Sequence, residues 1–176
     1  MKPGTFGDID RKASTYPAST VVGFDYHGLS IETARRRADA AGLAGQVEFV
    51  VAPADGFPGK DYDLVCIFDA LHDLGDPGAA LRHIRRALAP DGTLMLVEPN
   101  AADTVEGNLG LVGRIFYSAS TFICTPNSRA QSGADAACLG AQAGQARLTE
   151  LAHATGFSRV RRAAETPFNI VLEVRP

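Results

Sequence analysis

The chain is short of several things, and each shortage removes a class of function. Its 176 residues include three cysteines, Cys66, Cys124 and Cys138, an odd number without CxxC spacing. That pattern supports neither a disulfide framework nor a zinc site, so no metal is expected and a reducing cytoplasm is the natural setting. Basic residues are not in excess: 17 Lys and Arg stand against 20 Asp and Glu, for a net charge of -3. Such a balance gives no field to hold a phosphate backbone, and the arginine clusters at 35–37, 85–86 and 161–162 are local; a nucleic-acid partner is not expected. No apolar run approaches the roughly 18 residues that suggest a membrane span, and the opening "MKPGTFGDID" has no apolar stretch of the kind that directs export.

The most informative shortage is a glycine motif. "VVGFDYHGLS", Val21 to Ser30, reads as a strand that ends in an acid, Asp25, and feeds a helix. In nucleotide-binding α/β units such an acid stands about 20 residues after a Gly-rich turn. Counting back reaches "KPGTFGD", Lys2 to Asp8, where Gly4 and Gly7 form GxxG rather than GxGxG and only three residues precede Gly4. No strand fits there. "DIDRKASTYPAST" carries no apolar stripe, and Pro17 with the Ser and Thr content weakens a helix. Residues 1–15 are therefore read as an atypical segment, mostly loop.

What is present is ordinary globular composition, 45% hydrophobic and 21% charged, in a length suited to one domain, here 16–176. Short apolar runs alternate with segments of helical period, the pattern of a mostly parallel sheet covered by helices. "TVVGF" is a first strand. "SIETARRRADAAGLAG" is a helix with Ser30 as N-cap and Ile31, Ala34, Ala38 and Ala41 on one face. "QVEFVVA" is a second strand, and "DYDLVCIF" a third whose continuous apolar run suits burial on both faces. "DPGAALRHIRRALAP" is a helix with Asp76 as N-cap and Pro77 first, after which "PDG" turns the chain into the strand "TLMLVEP". Residues 101–145 interrupt the alternation with one or two helices and loops, inserted on the side where the strands end, and are expected to form the substrate wall. "ARLTELAHATG" restores a helix with Gly156 as its stop, and two closing strands joined by "TP" must form an antiparallel hairpin, because so short a link cannot make a parallel crossover.

A mostly parallel sheet closed by an antiparallel hairpin resembles the class I S-adenosylmethionine-dependent methyltransferases, a Rossmann-like α/β fold. The motifs agree: "VGFDYH", "VAPADGF", "YDLVCIFDALHDLGDP" and "LAPDGTLMLVEP" are similar to the family's second-strand acid, adenine-side loop, fourth-strand and fifth-strand motifs. "LHDLGDP" resembles a stretch of small-molecule O-methyltransferases, and the ending "ETPFNIVLEVRP" is similar to actinobacterial members that carry an N-terminal winged-helix domain. The resemblance implies S-adenosyl-L-methionine as cofactor and a small-molecule substrate, with methyl transfer to a hydroxyl. It implies that Asp25 accepts from the ribose hydroxyls, with Tyr26 beside it. Asp55 would accept from the adenine amino group, Ala54 and Phe57 would flank the ring, and Asp69 would face the amino-acid end. His72 would take the proton from the substrate hydroxyl, with Asp73 orienting the imidazole. Read from position alone, Asp25, Asp55, Asp69 and Asp73 are equally turn and cap residues, and Glu98 either touches substrate or braces the loop. Phe116, Tyr117 and Phe122 are candidates to pack an aromatic substrate or to fill the core of the inserted segment.

Without the first strand and glycine motif the sheet is expected to be incomplete at its N-terminal side, as in a truncated methyltransferase. Two other readings follow: a non-catalytic remnant without cofactor binding, and a nicotinamide-dependent oxidoreductase. The last explains neither the hairpin nor "LHDLGDP". A homodimer is left open, since the winged-helix element of such relatives is not seen.

Overall fold

The computed structural model describes residue 16, residues 18–43 and residues 45–176. The expected glycine stretch, Lys2 to Asp8, lies outside the described residues. The chain divides at Pro58 and Gly59 into two compact units.

In the first unit β1 (Val21–Asp25) and β2 (Val47–Val51) pair in parallel, from Val21 opposite Val47 to Asp25 opposite Val51. Between them runs α1 (Gly28–Ala40), whose buried Ile31, Ala34 and Ala38 pack on Val47 and Phe49. The helix starts earlier than expected. Its N-cap is His27 rather than Ser30, because the Asp25 carboxylate accepts the His27 backbone N–H at 2.8 Å and turns the chain at once. Ser30 then serves inside the first turn, its hydroxyl 2.9 Å from His27 Nδ1. Ala41 caps the other end and is exposed, not part of the buried face, since Gly42 at φ +71 ends the helix there.

The second unit holds a four-stranded sheet in the order β3-β4-β6-β5. β3 (Tyr62–Phe68) runs parallel to β4 (Leu88–Pro99), β6 (Asn169–Arg175) pairs antiparallel with β4, and β5 (Arg159–Glu165) pairs antiparallel with β6. The closing hairpin is thus present. α2 (Pro77–Ala87) links β3 to β4, with Asp76 capping it by accepting from the Ala79 N–H at 2.7 Å and Ala80, Leu81 and Ile84 turned inward. The expected "PDG" turn is instead absorbed into β4 as an irregularity. Tyr62 pairs with Leu88 and Leu64 already with Thr93, so the extra residues bulge. A side chain at Gly92 would stand 2.6 Å from the Tyr62 carbonyl oxygen, which restricts the bulge to glycine.

β4 places Leu94, Leu96 and Glu98 on one face, opposite Val174, Leu172 and Ile170 of β6, and all six are at most 1% exposed. This row is the centre of the unit. β3 differs from expectation: Leu64 is 52% and Phe68 38% exposed, and among the described residues the strand pairs with β4 alone. The inserted segment contains one continuous helical stretch, residues 111–132. α3 (Leu111–Ala119) passes through a π turn at Ser120–Cys124 into α4 (Thr125–Ser132). Pro126 has no N–H to continue the ladder, and the wider turn accommodates it. α5 (Gly144–Ala154) follows, with Leu148 and Ala152 buried and Gly156 at φ +97 behind its end. Among the described residues no helix is long and apolar enough to cross a membrane.

Candidate active site

The link from β3 to α2 is short and tightly held. Asp69 leaves β3 in the left-handed region, φ 50, its N–H bonded to the Val97 carbonyl at 2.8 Å and its carboxylate accepting from Asn169 Nδ2 at 3.1 Å. A 3₁₀ turn, Leu71–Asp73, follows; Leu71 enters the core and draws His72 in with it, to 5% exposure. The core row of β4 ends at this place with Glu98. A carboxylate there costs several kcal/mol unless both oxygens are engaged. They are: Oε1 accepts the Leu71 N–H at 2.9 Å, and Oε2 lies 2.6 Å from His72 Nδ1.

This pairing sets the chemistry of the imidazole. An ionised carboxylate only accepts, so Nδ1 carries the proton and Nε2 keeps the lone pair in the neutral ring. Burial pulls the His72 pKa down. The hydrogen bond and charge of Glu98, with the charges of Asp73 and Asp69 behind them, outweigh burial and hold it above the ordinary histidine value. Nε2 stands 3.4 Å from Asp73 Oδ1, a buried oxygen without a hydrogen-bond donor among the described residues. Cys124, buried at the end of the π turn, completes the group. Burial, then the Asp73 carboxylate, push its thiol up to about 12.

α4 fixes the backbone of the turn through one polar face. Asn127 Nδ2 and Gln131 Nε2 donate to the Asp73 carbonyl at 3.3 and 3.0 Å, the buried Ser128 hydroxyl donates to the Leu74 carbonyl at 2.9 Å, and Gln131 Oε1 accepts the Gly75 N–H at 3.2 Å. The Gly140 N–H donates to the His72 carbonyl at 3.3 Å. So close an approach leaves no room at Gly75, where a Cβ would overlap Ser132 Oγ and lie 2.9 Å from the Gln131 Cβ. Gly75→Ala is accordingly expected to cost about 1–3 kcal/mol, the usual penalty of overpacking. Chemical denaturation of the two proteins would measure it, and an unchanged midpoint would contradict the close packing.

The residues expected from sequence fall into two groups. In the first unit Asp25 ends β1 partly exposed, Tyr26 is 62% exposed, Ala54 is half-buried, and Asp55 is exposed. Phe57 is buried and stacks on Phe24 with ring centroids 4.8 Å apart. In the second unit His72 and Asp73 share the 3₁₀ turn, and Asp69 stands just before it at the end of β3. Two neighbours have roles beyond the sequence reading: Glu98 braces the loop, one of its expected alternatives, but also pairs with His72, and Cys124 joins the group. Glu98 had a signal, its parity with Leu94 and Leu96, which places it on the buried face. Cys124 had none, since a π turn brings it in. Phe116, Tyr117 and Phe122 do not form one wall: Phe116 packs in a core cluster with Ala101, Cys124 and Ala141, whereas Phe122 is 80% exposed.

A buried carboxylate–imidazole pair just after a parallel strand, and an acid ending β1, agree with a comparison to known families: the family described as "Methyltransferase domain" matches residues 8–156. The chain belongs to this family. S-adenosyl-L-methionine is the cofactor of the family, as expected from the motifs. The chain is 35% identical over 103 residues to the demethylmenaquinone methyltransferase of Thermus thermophilus, covering 57% of this chain and 45% of that protein. It is also 35% identical over 99 residues to a ubiquinone/menaquinone biosynthesis C-methyltransferase of Pseudomonas savastanoi, covering 54% and 39%. The chain thus spans less than half the length of each relative. Its fold is similar to an O-methyltransferase from neocarzinostatin biosynthesis in complex with S-adenosyl-L-homocysteine and 1,4-dihydroxy-2-naphthoic acid: TM-score 0.70, 21% identity, 98% of this chain and 46% of that one.

The donor set of the first unit fits the adenosine half of the cofactor. Among the described residues the Asp25 carboxylate, at the end of a parallel strand, has one oxygen committed, to the His27 N–H at 2.8 Å, and a carboxylate can serve two hydroxyl donors.

Proposed function

We propose that the protein transfers a methyl group to a hydroxyl of a small-molecule acceptor, with His72 as the base and Glu98 as the residue that orients it. The observation that carries this reading is the buried contact of 2.6 Å between His72 Nδ1 and Glu98, which leaves Nε2 as the proton acceptor. When bound, the cofactor supplies an electrophilic methyl group on a sulfonium. The residues of the chain do the rest. His72 Nε2 takes the hydroxyl proton as the acceptor oxygen attacks, and the resulting imidazolium lies between two carboxylates, Glu98 at Nδ1 and Asp73 at 3.4 Å from Nε2. On the cofactor side Asp25 accepts from the ribose hydroxyls with Tyr26 beside it. Asp55 accepts from the adenine amino group, and Ala54 and Phe57 give apolar contact.

A second reading is favoured by the relatives named as C-methyltransferases. Removing the proton of an aromatic hydroxyl places negative charge on ring carbons as well as on oxygen, so the same base supports methylation at carbon. Product analysis with a dihydroxynaphthalene acceptor separates the two: a methyl ether supports the first, a ring methyl the second.

Cofactor binding is tested by titrating the purified chain with S-adenosyl-L-homocysteine in a calorimeter. Saturable binding is expected, and Asp25→Ala should weaken it about 10- to 100-fold, the loss of a charge-assisted hydrogen bond of roughly 1.5–3 kcal/mol. No binding by the wild-type chain would overturn the enzyme reading and leave the non-catalytic one.

A further inference from the structure

We propose that His72, Asp73 and Cys124 form a binding site for a divalent transition-metal ion of the zinc type, and that a bound ion blocks the proton acceptor of methyl transfer. The site is argued from geometry alone; only the blocking rests on His72 being the base. One donor atom from each of the three residues lies within 4.8 Å of the others, and Nε2 to Oδ1 is 3.4 Å. Zinc bonds of about 2.0–2.3 Å to nitrogen, oxygen and sulfur put tetrahedral donors roughly 3.3–3.8 Å apart. The histidine–aspartate pair already has that spacing, and small side-chain rotations close the rest.

Imidazole, carboxylate and thiolate together suit zinc better than magnesium or calcium, and three protein donors leave a fourth position for water. The outer shell is already built. A metal-binding histidine commonly gives its other N–H to a carboxylate, and here Glu98 takes Nδ1 at 2.6 Å. Asp73 Oδ1 is buried, has no hydrogen-bond donor among the described residues and stands 3.4 Å from His72 Nε2. The Asp73 side chain, 26% exposed, gives a route from solvent. Binding forms bonds from the metal to Nε2, Oδ1 and Sγ and releases the thiol proton to water. Since Nε2 has one lone pair, metal and substrate proton exclude each other. The lack of CxxC spacing hid this site, because Cys124 is remote from His72 in sequence.

The test is titration of the purified full chain, treated first with chelator, with Co²⁺ as spectroscopic probe. One equivalent is expected to produce a thiolate-to-cobalt band in the near ultraviolet with tetrahedral bands in the visible, both displaced by Zn²⁺. Cys124→Ser and Cys124→Ala, each checked for a cooperative melt, should abolish the thiolate band; Cys138→Ser should keep it, and Asp73→Asn should lower affinity at least tenfold. No band in the wild type, or a band that survives in either Cys124 variant, overturns the site. One equivalent of zinc should slow methyl transfer at least tenfold in the wild type, while Cys124→Ser should give the same rate with and without it. If cobalt binds as described and zinc leaves the wild-type rate unchanged, the blocking is overturned and the site stands. If the metal-free chain transfers no methyl group, the functional reading fails while the titration still decides the site.

Discussion

Replacing Glu98 by glutamine is expected to lower methyl transfer by about 10²–10⁴-fold while the chain still folds, the range found when a general base is lost or wrongly oriented. Glutamine keeps the volume of Glu98 and an oxygen for the Leu71 N–H, so the core row of Leu94, Leu96 and residue 98 stays filled. What disappears is the charge opposite His72 Nδ1. In the wild type the Glu98 hydrogen bond, then its charge, lead the contributions that hold the His72 pKa up against burial. A raised value in the folded state means that protonation of His72 adds stability that is complete below the ordinary histidine pKa, about 6.5, and is lost as pH rises through the raised value. Methyl transfer, which needs the neutral ring, should rise with pH through that same raised value. In Glu98→Gln burial is opposed only by the more remote Asp73 and Asp69, so the rate profile should move to lower pH and the stability difference should flatten. Rate profiles and melting temperatures from pH 5 to 9, with chelator present, measure both. Parallel profiles for the two proteins would mean that Glu98 does not govern His72.

Much of this was legible from residue patterns, and the parts that were not have physical causes. The "TP" link gave the terminal hairpin because chain length forbids a parallel crossover, and Asp76 followed by Pro77 marked the start of α2, as the Ala79 contact shows. The start of α1 was misplaced because the carboxylate of Asp25 competes for the turn: it captures the His27 N–H two residues on, a contact that side-chain propensity does not encode. "PDG" was read as a turn and is a bulge, since pairing with β3 continues across it. The exposure of Leu64 and Phe68 could not be inferred from an apolar run, because the run reports what a strand prefers and not what packs on its faces. His72 and Asp73 were found by their motif. The loop-bracing reading of Glu98 agrees with its Leu71 contact, whereas its pairing with His72 requires counting strand parity, and Cys124 requires a π turn that follows from Pro126 only once the helix is known to continue through it.

Truncating Leu172 to alanine is expected to cost about 2–5 kcal/mol, the range for deleting a buried leucine side chain. Leu172 has no exposed surface and sits in β6 between two paired strands, opposite Leu96 of β4 and Arg162 of β5. A domain of ordinary stability, roughly 5–15 kcal/mol, would lose a large share of it. The nearby edge gives the control: Leu64, 52% exposed on β3, should lose far less on the same change. The cavity would also reach the functional residues. The next pair along the row is Ile170 with Glu98, so relaxation into the space left by Leu172 removes the packing that holds the carboxylate against Leu71 and His72. Urea unfolding of Leu172→Ala and Leu64→Ala therefore tests the core. Methyl transfer at a temperature where Leu172→Ala remains folded tests the coupling, with a fall in rate expected for this variant and none for Leu64→Ala. Equal destabilisation of the two would mean that the row on β4 and β6 is not the packed centre, and a full rate in folded Leu172→Ala would mean that Glu98 is held by its hydrogen bonds alone.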